Sequence, residues 1–128
     1  MKIGEINTKE KVLIIAEIGN NHEGSYTLAE EMIGLAAESG ADAVKFQTFQ
    51  TEYYVSVDDI ERYKRVKSFE LSFNEFEKLS SVAKAAGILF ISTPFDLESA
   101  LFLNSCVDAV KIASGDNNFY PLIETVAE

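Results

Sequence analysis

The chain is poor in the residues that staple, break or metallate a fold: of 128 residues one is cysteine, one histidine and two proline, and none is tryptophan. A single Cys106 excludes an internal disulfide, and chains without disulfides suit a reducing compartment, so a cytoplasmic protein is expected. His22 has no histidine or cysteine cluster at metal-ligand spacing around it; it reads as a hydrogen-bonding loop residue, and no metal site is expected within the chain. No apolar run reaches the ~20 residues of a membrane span, and no basic-then-apolar leader opens the sequence, so no membrane partner is expected. Positive charge is scarce as well. Eleven Lys and Arg stand against 21 Asp and Glu, a formal charge of -10, which argues against a broad nucleic-acid surface. The one basic cluster, Arg62, Lys64, Arg65 and Lys67 interleaved with Tyr63 and Val66, reads as a solvated face. A few focused cations holding a small anion remain compatible with this acidity.

Apolar residues are plentiful, at 47% of the chain. Residues 1–128 read as one globular unit, of a size that buries roughly two thirds of its unfolded surface. Val12 to Ile18 is a short β-branched run closed by Gly19, which fits a buried strand. A helix is expected from about Thr27, with Thr27 and Glu30 as a capping box, Leu28, Met32, Leu35 and Ala36 on one face, and Gly40 as its stop. Ala43 to Gln47 is the second strand, followed by a long loop with a short helix near Asp58 to Lys67. Ser72 and Glu75 form a second capping box ahead of Phe76, Leu79, Val82 and Ala83 at helical spacing. Ile88 to Ser92 is the third strand, Asp96 caps a short helix through Leu103, Ala109 to Ala113 is the fourth strand, and Pro121 opens a fourth helix.

Four strand-then-helix units with near-continuous apolar strands imply an α/β fold with a parallel sheet. Two architectures compete: a doubly wound open sheet, and four βα units forming the N-terminal half of a (β/α)8 TIM barrel. Alternation puts Ala43, Lys45 and Gln47 on one face of the second strand and Val44 and Phe46 on the other. Ala109, Lys111 and Ala113 would share a face in the fourth. A small and polar face opposite a bulky apolar one suits a barrel strand near its ligand end, and the barrel is favoured. A complete barrel needs about 250 residues, so the outer strands of this half are expected to present pairing edges and to self-associate.

The phrase Asp42-Ala43-Val44-Lys45-Phe46 returns as Asp108-Ala109-Val110-Lys111-Ile112. A lysine in an apolar strand is costly to desolvate, and its recurrence in the same setting suggests two cations aimed at one anion. Polar groups end every strand: Glu17, then Lys45 and Gln47, then Ser92 and Thr93, then Lys111 and Ser114. The carboxyl ends of parallel strands form the ligand face in such folds, so these side chains are expected to converge, with Asn20 and Asn21 of the first loop placed to meet a polyol. The residues themselves leave other chemistries open: a Schiff-base aldolase using Lys45 or Lys111, or a non-catalytic phosphate-binding or assembly module.

Four phrases in order, Ile15-Ala16-Glu17-Ile18-Gly19-Asn20-Asn21-His22-Glu23-Gly24, Ala43-Val44-Lys45-Phe46-Gln47-Thr48, Ser92-Thr93-Pro94-Phe95 and Lys111-Ile112-Ala113-Ser114-Gly115-Asp116, together resemble the N-acetylneuraminate (sialic acid) synthase family. That family includes the pseudaminic and legionaminic acid synthases and related spore-coat polysaccharide proteins. The resemblance implies a homodimeric transferase that condenses phosphoenolpyruvate with an N-acetylated aldose such as N-acetylmannosamine, giving a nonulosonic acid and phosphate. It implies that Lys45, Lys111 and Ser114 hold the phosphate and carboxylate of phosphoenolpyruvate with Thr93 nearby, and that Glu17 and Gln47 meet the amino sugar. It also implies a divalent metal, manganese or magnesium, whose ligands come from later strands, and a C-terminal antifreeze-like domain. Both lie beyond Glu128, so the chain alone is expected to lack turnover.

Overall fold

A computed structural model describes residues 1–127. The chain opens with a small antiparallel hairpin, β1 (Lys2–Ile3) and β2 (Ile6–Asn7), which the apolar pattern does not announce because each strand is two residues long. Its Gly4, at φ +54, lies against the Leu89 side chain, closely enough that an added Cβ would come within 2.6 Å of it.

The body is a four-stranded parallel sheet in sequential order: β3 (Ile15–Gly19), β4 (Ala43–Thr48), β5 (Leu89–Pro94) and β6 (Ala109–Val110). Between the strands run α1 (Tyr26–Glu38), α2 (Thr51–Tyr54), α3 (Ile60–Phe69), α4 (Phe73–Ala85) and α5 (Leu97–Leu103), and α6 (Tyr120–Ala127) follows. The register aligns Ala43 with Ile15 and Leu89, and Ile91 with Ala109, so alternation sorts the sheet into two faces. On the face covered by helices, Val44, Phe46 and Phe90 meet Ala29, Ile33 and Ala36 of α1 and Phe76, Leu79 and Ala83 of α4. Phe46 is the hub: its ring stands 5.2 Å from Phe90 and meets Phe76 edge-on at 6.3 Å. The opposite face carries Ala43, Lys45 and Gln47 with Ile91 and Thr93. That is the small-and-polar inner face expected of barrel strands, and the four units have the order of half a (β/α)8 barrel.

Three expectations need correction. Helix α1 starts one residue earlier than Thr27 and is capped by Ser25, whose side chain accepts from the Leu28 N–H; it buries Ala29, Ile33 and Ala36, while Leu28 and Leu35 stay exposed. Both stripes have helical spacing, and small alanines let the helix lie close on the sheet. The fourth strand is Ala109–Val110 and not Ala109 to Ala113: β6 pairs only with β5, and after the bond from the Lys111 N–H to the Ser92 carbonyl the backbone turns into a 3-10 helix at Ser114–Asp116. Ser92 does not join the inner face. It is fully buried on the helix side, where its hydroxyl and that of Thr48 share a hydrogen bond of 2.7 Å.

Candidate active site

The inner-face side chains meet at the carboxyl ends of β3 and β4. Register sets Glu17 beside Lys45, and their carboxylate and ammonium groups form an ion pair at 2.6 Å. Lys45 also points its ammonium toward the Thr93 hydroxyl, 3.5 Å away. Only 13% of the Lys45 side chain is exposed, against 55% for Glu17, so the cation is the anchored member and the carboxylate the one with room to move. Two residues further along β4, Gln47 accepts from the Asn20 side-chain amide at 2.7 Å.

A local irregularity makes this possible. Between Glu17 and Gly19 the β3–β4 register slips, and Gly19 takes φ +55. Alternation puts Ile18 in the apolar core and Glu17 on the inner face, and at the slip the chain turns into the loop of Asn20 and Asn21. A cleft of about 480 Å³ opens there, lined by Glu17, Asn20, Asn21, Lys45, Gln47 and Phe69 among others. Phe69 comes from the end of α3, far away in sequence, and no local signal marks it.

His22 lies beneath this loop, 1% exposed, its ring 6.0 Å from that of Phe46. Its Nδ1 accepts the Gly24 N–H at 3.1 Å, and its Nε2 has no partner among the described residues. Burial pushes the imidazole below its ordinary value, against a smaller upward pull from the Glu75 carboxylate. The lone histidine is thus the hydrogen-bonding loop residue that its isolation suggests.

Of the residues singled out in the sequence, Glu17, Lys45, Gln47, Thr93, Asn20 and Asn21 gather at or beside this cleft. Lys111 and Ser114 stand outside it. The Lys111 ammonium is exposed and donates to the carbonyl of its own neighbour Ile112 at 3.0 Å, and Ser114 is exposed on the 3-10 turn. Continuing the β5–β6 register by one residue sets Lys111 level with Thr93, so Thr93 separates the two lysines across the sheet. Among the described residues no group of three or more His, Cys, Asp and Glu comes together to hold a metal ion. The residues present therefore do not fit a resident metal.

A second cleft, of about 440 Å³, lies at the opposite, amino-terminal end of β5 and β6, between Lys84, Ser80, Cys106 and Asp108. Burial, with a smaller contribution from Glu77, pushes the Cys106 thiol up to about 11, so it is a poor nucleophile at neutral pH. No helix among the described residues is long and apolar enough to cross a membrane.

Comparison with known proteins places the site in context. The sequence profile of the NeuB family matches residues 32–128. An uncharacterized protein of Methanocaldococcus jannaschii is 47% identical over the whole of this chain, which corresponds to 39% of that protein. The N,N'-diacetyllegionaminic acid synthase of Campylobacter jejuni is 38% identical, over 93% of this chain and 40% of its own length. The crystal structure of the N-acetylneuraminic acid (sialic acid) synthetase of Leptospira borgpetersenii, in complex with citrate, superposes with a TM-score of 0.90 at 36% identity, over 99% of this chain and 45% of that one. The chain thus spans about two fifths of the length of the curated relatives it matches.

Proposed function

Because the chain belongs to the NeuB family, we propose that it supplies the phosphoenolpyruvate-binding half of a nonulosonic (sialic-type) acid synthase. The observation that carries this reading is the Glu17–Lys45–Thr93 cluster, which sits at the carboxyl ends of parallel strands and beside a cleft wide enough for a small anion and a sugar. A unit charge pair at 4 Å contributes about 4 kcal/mol at an effective dielectric of 20, enough to offset much of the cost of a half-buried lysine.

In the proposed reaction the enol carbon of phosphoenolpyruvate attacks the aldehyde of an N-acetylated aldose of the N-acetylmannosamine type; water adds at the adjacent carbon and phosphate departs. Lys45 and, after rotating away from the Ile112 carbonyl, Lys111 balance the phosphate and carboxylate charge, with Ser114 and Thr93 as hydroxyl donors. Gln47, Asn20 and Asn21 face the sugar across the cleft. Glu17 leaves Lys45 when the anion arrives and turns toward the sugar hydroxyls. A divalent metal, manganese or magnesium, would need ligands other than the described residues, and the roles of Lys45, Gln47 and Glu17 do not depend on it. A Schiff-base aldolase would use one lysine and leave Gln47 and Asn20 without a role.

Two measurements test the reading. Calorimetric titration of the chain with phosphoenolpyruvate is expected to show binding that Lys45→Ala weakens at least about tenfold, a loss of about 1.4 kcal/mol. Equal affinity in the variant would remove Lys45 from the anion site. The chain alone is expected to release no phosphate from phosphoenolpyruvate and N-acetylmannosamine, even with manganese. Measurable release would overturn the assignment of a half-site, and borohydride trapping of a keto substrate on Lys45 or Lys111 would favour the aldolase.

A further inference from the structure

His22, buried beneath the first loop, has no part in the proposed reaction. Its Nδ1 accepts the Gly24 N–H, so the neutral ring carries its proton on Nε2, where no partner among the described residues meets it. The bond to Nδ1 holds a tightly built loop. Gly24 sits at φ +80 against the end of α3, so close that an added Cβ would lie 2.0 Å from the Ser68 carbonyl oxygen. From there the tie runs back toward the cleft: the Ser25 N–H donates to the His22 carbonyl at 2.8 Å, and the Glu23 N–H to the Asn20 carbonyl at 3.0 Å. The Asn20 side chain in turn holds Gln47, and its own Oδ1 is buried without a partner among the described residues. Hydrogen bonds thus run through the loop from Ser25 and Gly24 to the Asn20 side of the cleft.

We infer that His22 is a positioning residue, a proton-sensitive latch whose neutral imidazole pins the Gly24 turn and thereby sets the Asn20–Gln47 pair in the cleft. Protonation places a second N–H on the ring at Nδ1, facing the Gly24 N–H donor against donor; the bond is lost and the turn is released from the α3 end. The groups around the ring favour a latch closed at neutral pH. β4 presents the apolar Phe46 ring. α4 presents Glu75, whose carboxylate is already engaged by the Ser72 N–H and hydroxyl, each at 2.7 Å. The α3 end presents backbone, flanked by Lys67 and Glu70, which pair with each other at 2.7 Å. On the loop itself Glu23 is exposed. Depression of the imidazole by burial is consistent with this surrounding.

The inference goes beyond the proposed reaction and is tested without substrate, so its failure and that of the synthase reading are distinguishable. Proton–nitrogen NMR of the chain is followed as the pH falls from neutrality. The Gly24 backbone amide and the Asn20 side-chain amide are expected to shift together, with one shared midpoint below the ordinary histidine value of 6.5. In His22→Asn, whose side-chain oxygen stands near the Nδ1 position and does not titrate there, the Gly24 hydrogen bond is expected to persist and the paired shift to vanish. Glu75→Gln, which keeps the capping hydrogen bonds and removes the nearby carboxylate, is expected to lower the shared midpoint. An Asn20 side-chain amide that stays still while Gly24 titrates in the wild-type chain overturns the latch. So does a paired shift that survives in His22→Asn.

Discussion

Gly24 shows how one missing Cβ holds the site together. At φ +80 it occupies the left-handed region, and a methyl group there would meet the Ser68 carbonyl at 2.0 Å, a backbone atom with no rotamer to yield. Gly40 has almost the same backbone, φ +83, with nothing within 4 Å of the position a Cβ would take. The two glycines separate strain from contact. Gly40→Ala is expected to cost about 1 kcal/mol, the left-handed penalty alone. Gly24→Ala is expected to cost more than twice as much, because the first loop must also pull away from α3. Urea unfolding of the two variants reads the difference, and equal midpoints would mean that the loop and α3 are not packed as described. At this scale the sequence is legible where alternation governs. Lys45 and Gln47 share the inner face as their spacing implies, and Asn20 and Asn21 line the same cleft. It is not legible where the partner is remote, as with Phe69 at the cleft or Ser68 against Gly24.

Among the elements, α3 is the least embedded: it buries no residue, touches the first loop at its end, and is held with α2 at the base of the segment. Glu70 makes that clasp. One carboxylate oxygen accepts from the Thr51 N–H at 2.8 Å and its hydroxyl at 2.6 Å, and the other from Lys67 at 2.7 Å, which also reaches Glu52 at 3.3 Å. Burial pushes the Glu70 carboxyl up, but the hydrogen bonds from Lys67 and Thr51 outweigh it, and the net displacement is downward from 4.5. A carboxyl that binds protons less readily folded than unfolded stabilises the fold above its unfolded value. That contribution is lost as the pH falls through the lower folded value. Acidification below about 4.5 is therefore expected to open residues 51–70 to hydrogen exchange ahead of the sheet, with the Thr51 amide leading. In Glu70→Gln that amide is expected to exchange faster at neutral pH and to lose the acid dependence. A Thr51 amide whose protection tracks the sheet in both proteins would show that the clasp does not hold the segment. Local signals suffice for α4, where Ser72 and Glu75 form the reciprocal cap their spacing announces and Phe76, Leu79 and Ala83 are buried. They do not suffice for α1, because two apolar stripes compete and the position of the sheet chooses between them. They fail for the end of β6 too, since strand length there depends on pairing rather than on the alternating segment Ala109 to Ala113.

At the scale of the whole molecule, β3 and β6 are the outer strands of the sheet among the described residues. Val12 and Ile14, leading into β3, and Ile15, its first residue, are 77, 54 and 41% exposed, and Leu101 of α5 with Phe119 and Tyr120 at the start of α6 are 62, 37 and 67% exposed. The first three adjoin β3, an outer strand that pairs on one side only among the described residues, the usual template for edge pairing. We propose that the chain self-associates through them. The formal charge of -10 on each copy opposes the encounter, which fixes the sign of the salt effect. Raising the salt from about 0.01 to 1 M shortens the screening length from ~30 to ~3 Å, removes most of that repulsion and leaves apolar burial intact. Sedimentation velocity is expected to show association that strengthens with protein concentration and with salt. The competing contact is electrostatic: α3 carries Arg62, Lys64, Arg65 and Lys67 against a single Glu61, a cationic helix that the acidic surface of a second copy would attract. Association through α3 would weaken over the same salt range, because screening acts on attraction as it does on repulsion. A rise with salt therefore assigns the contact to the sheet edges, a fall assigns it to α3, and a monomer under all conditions removes both.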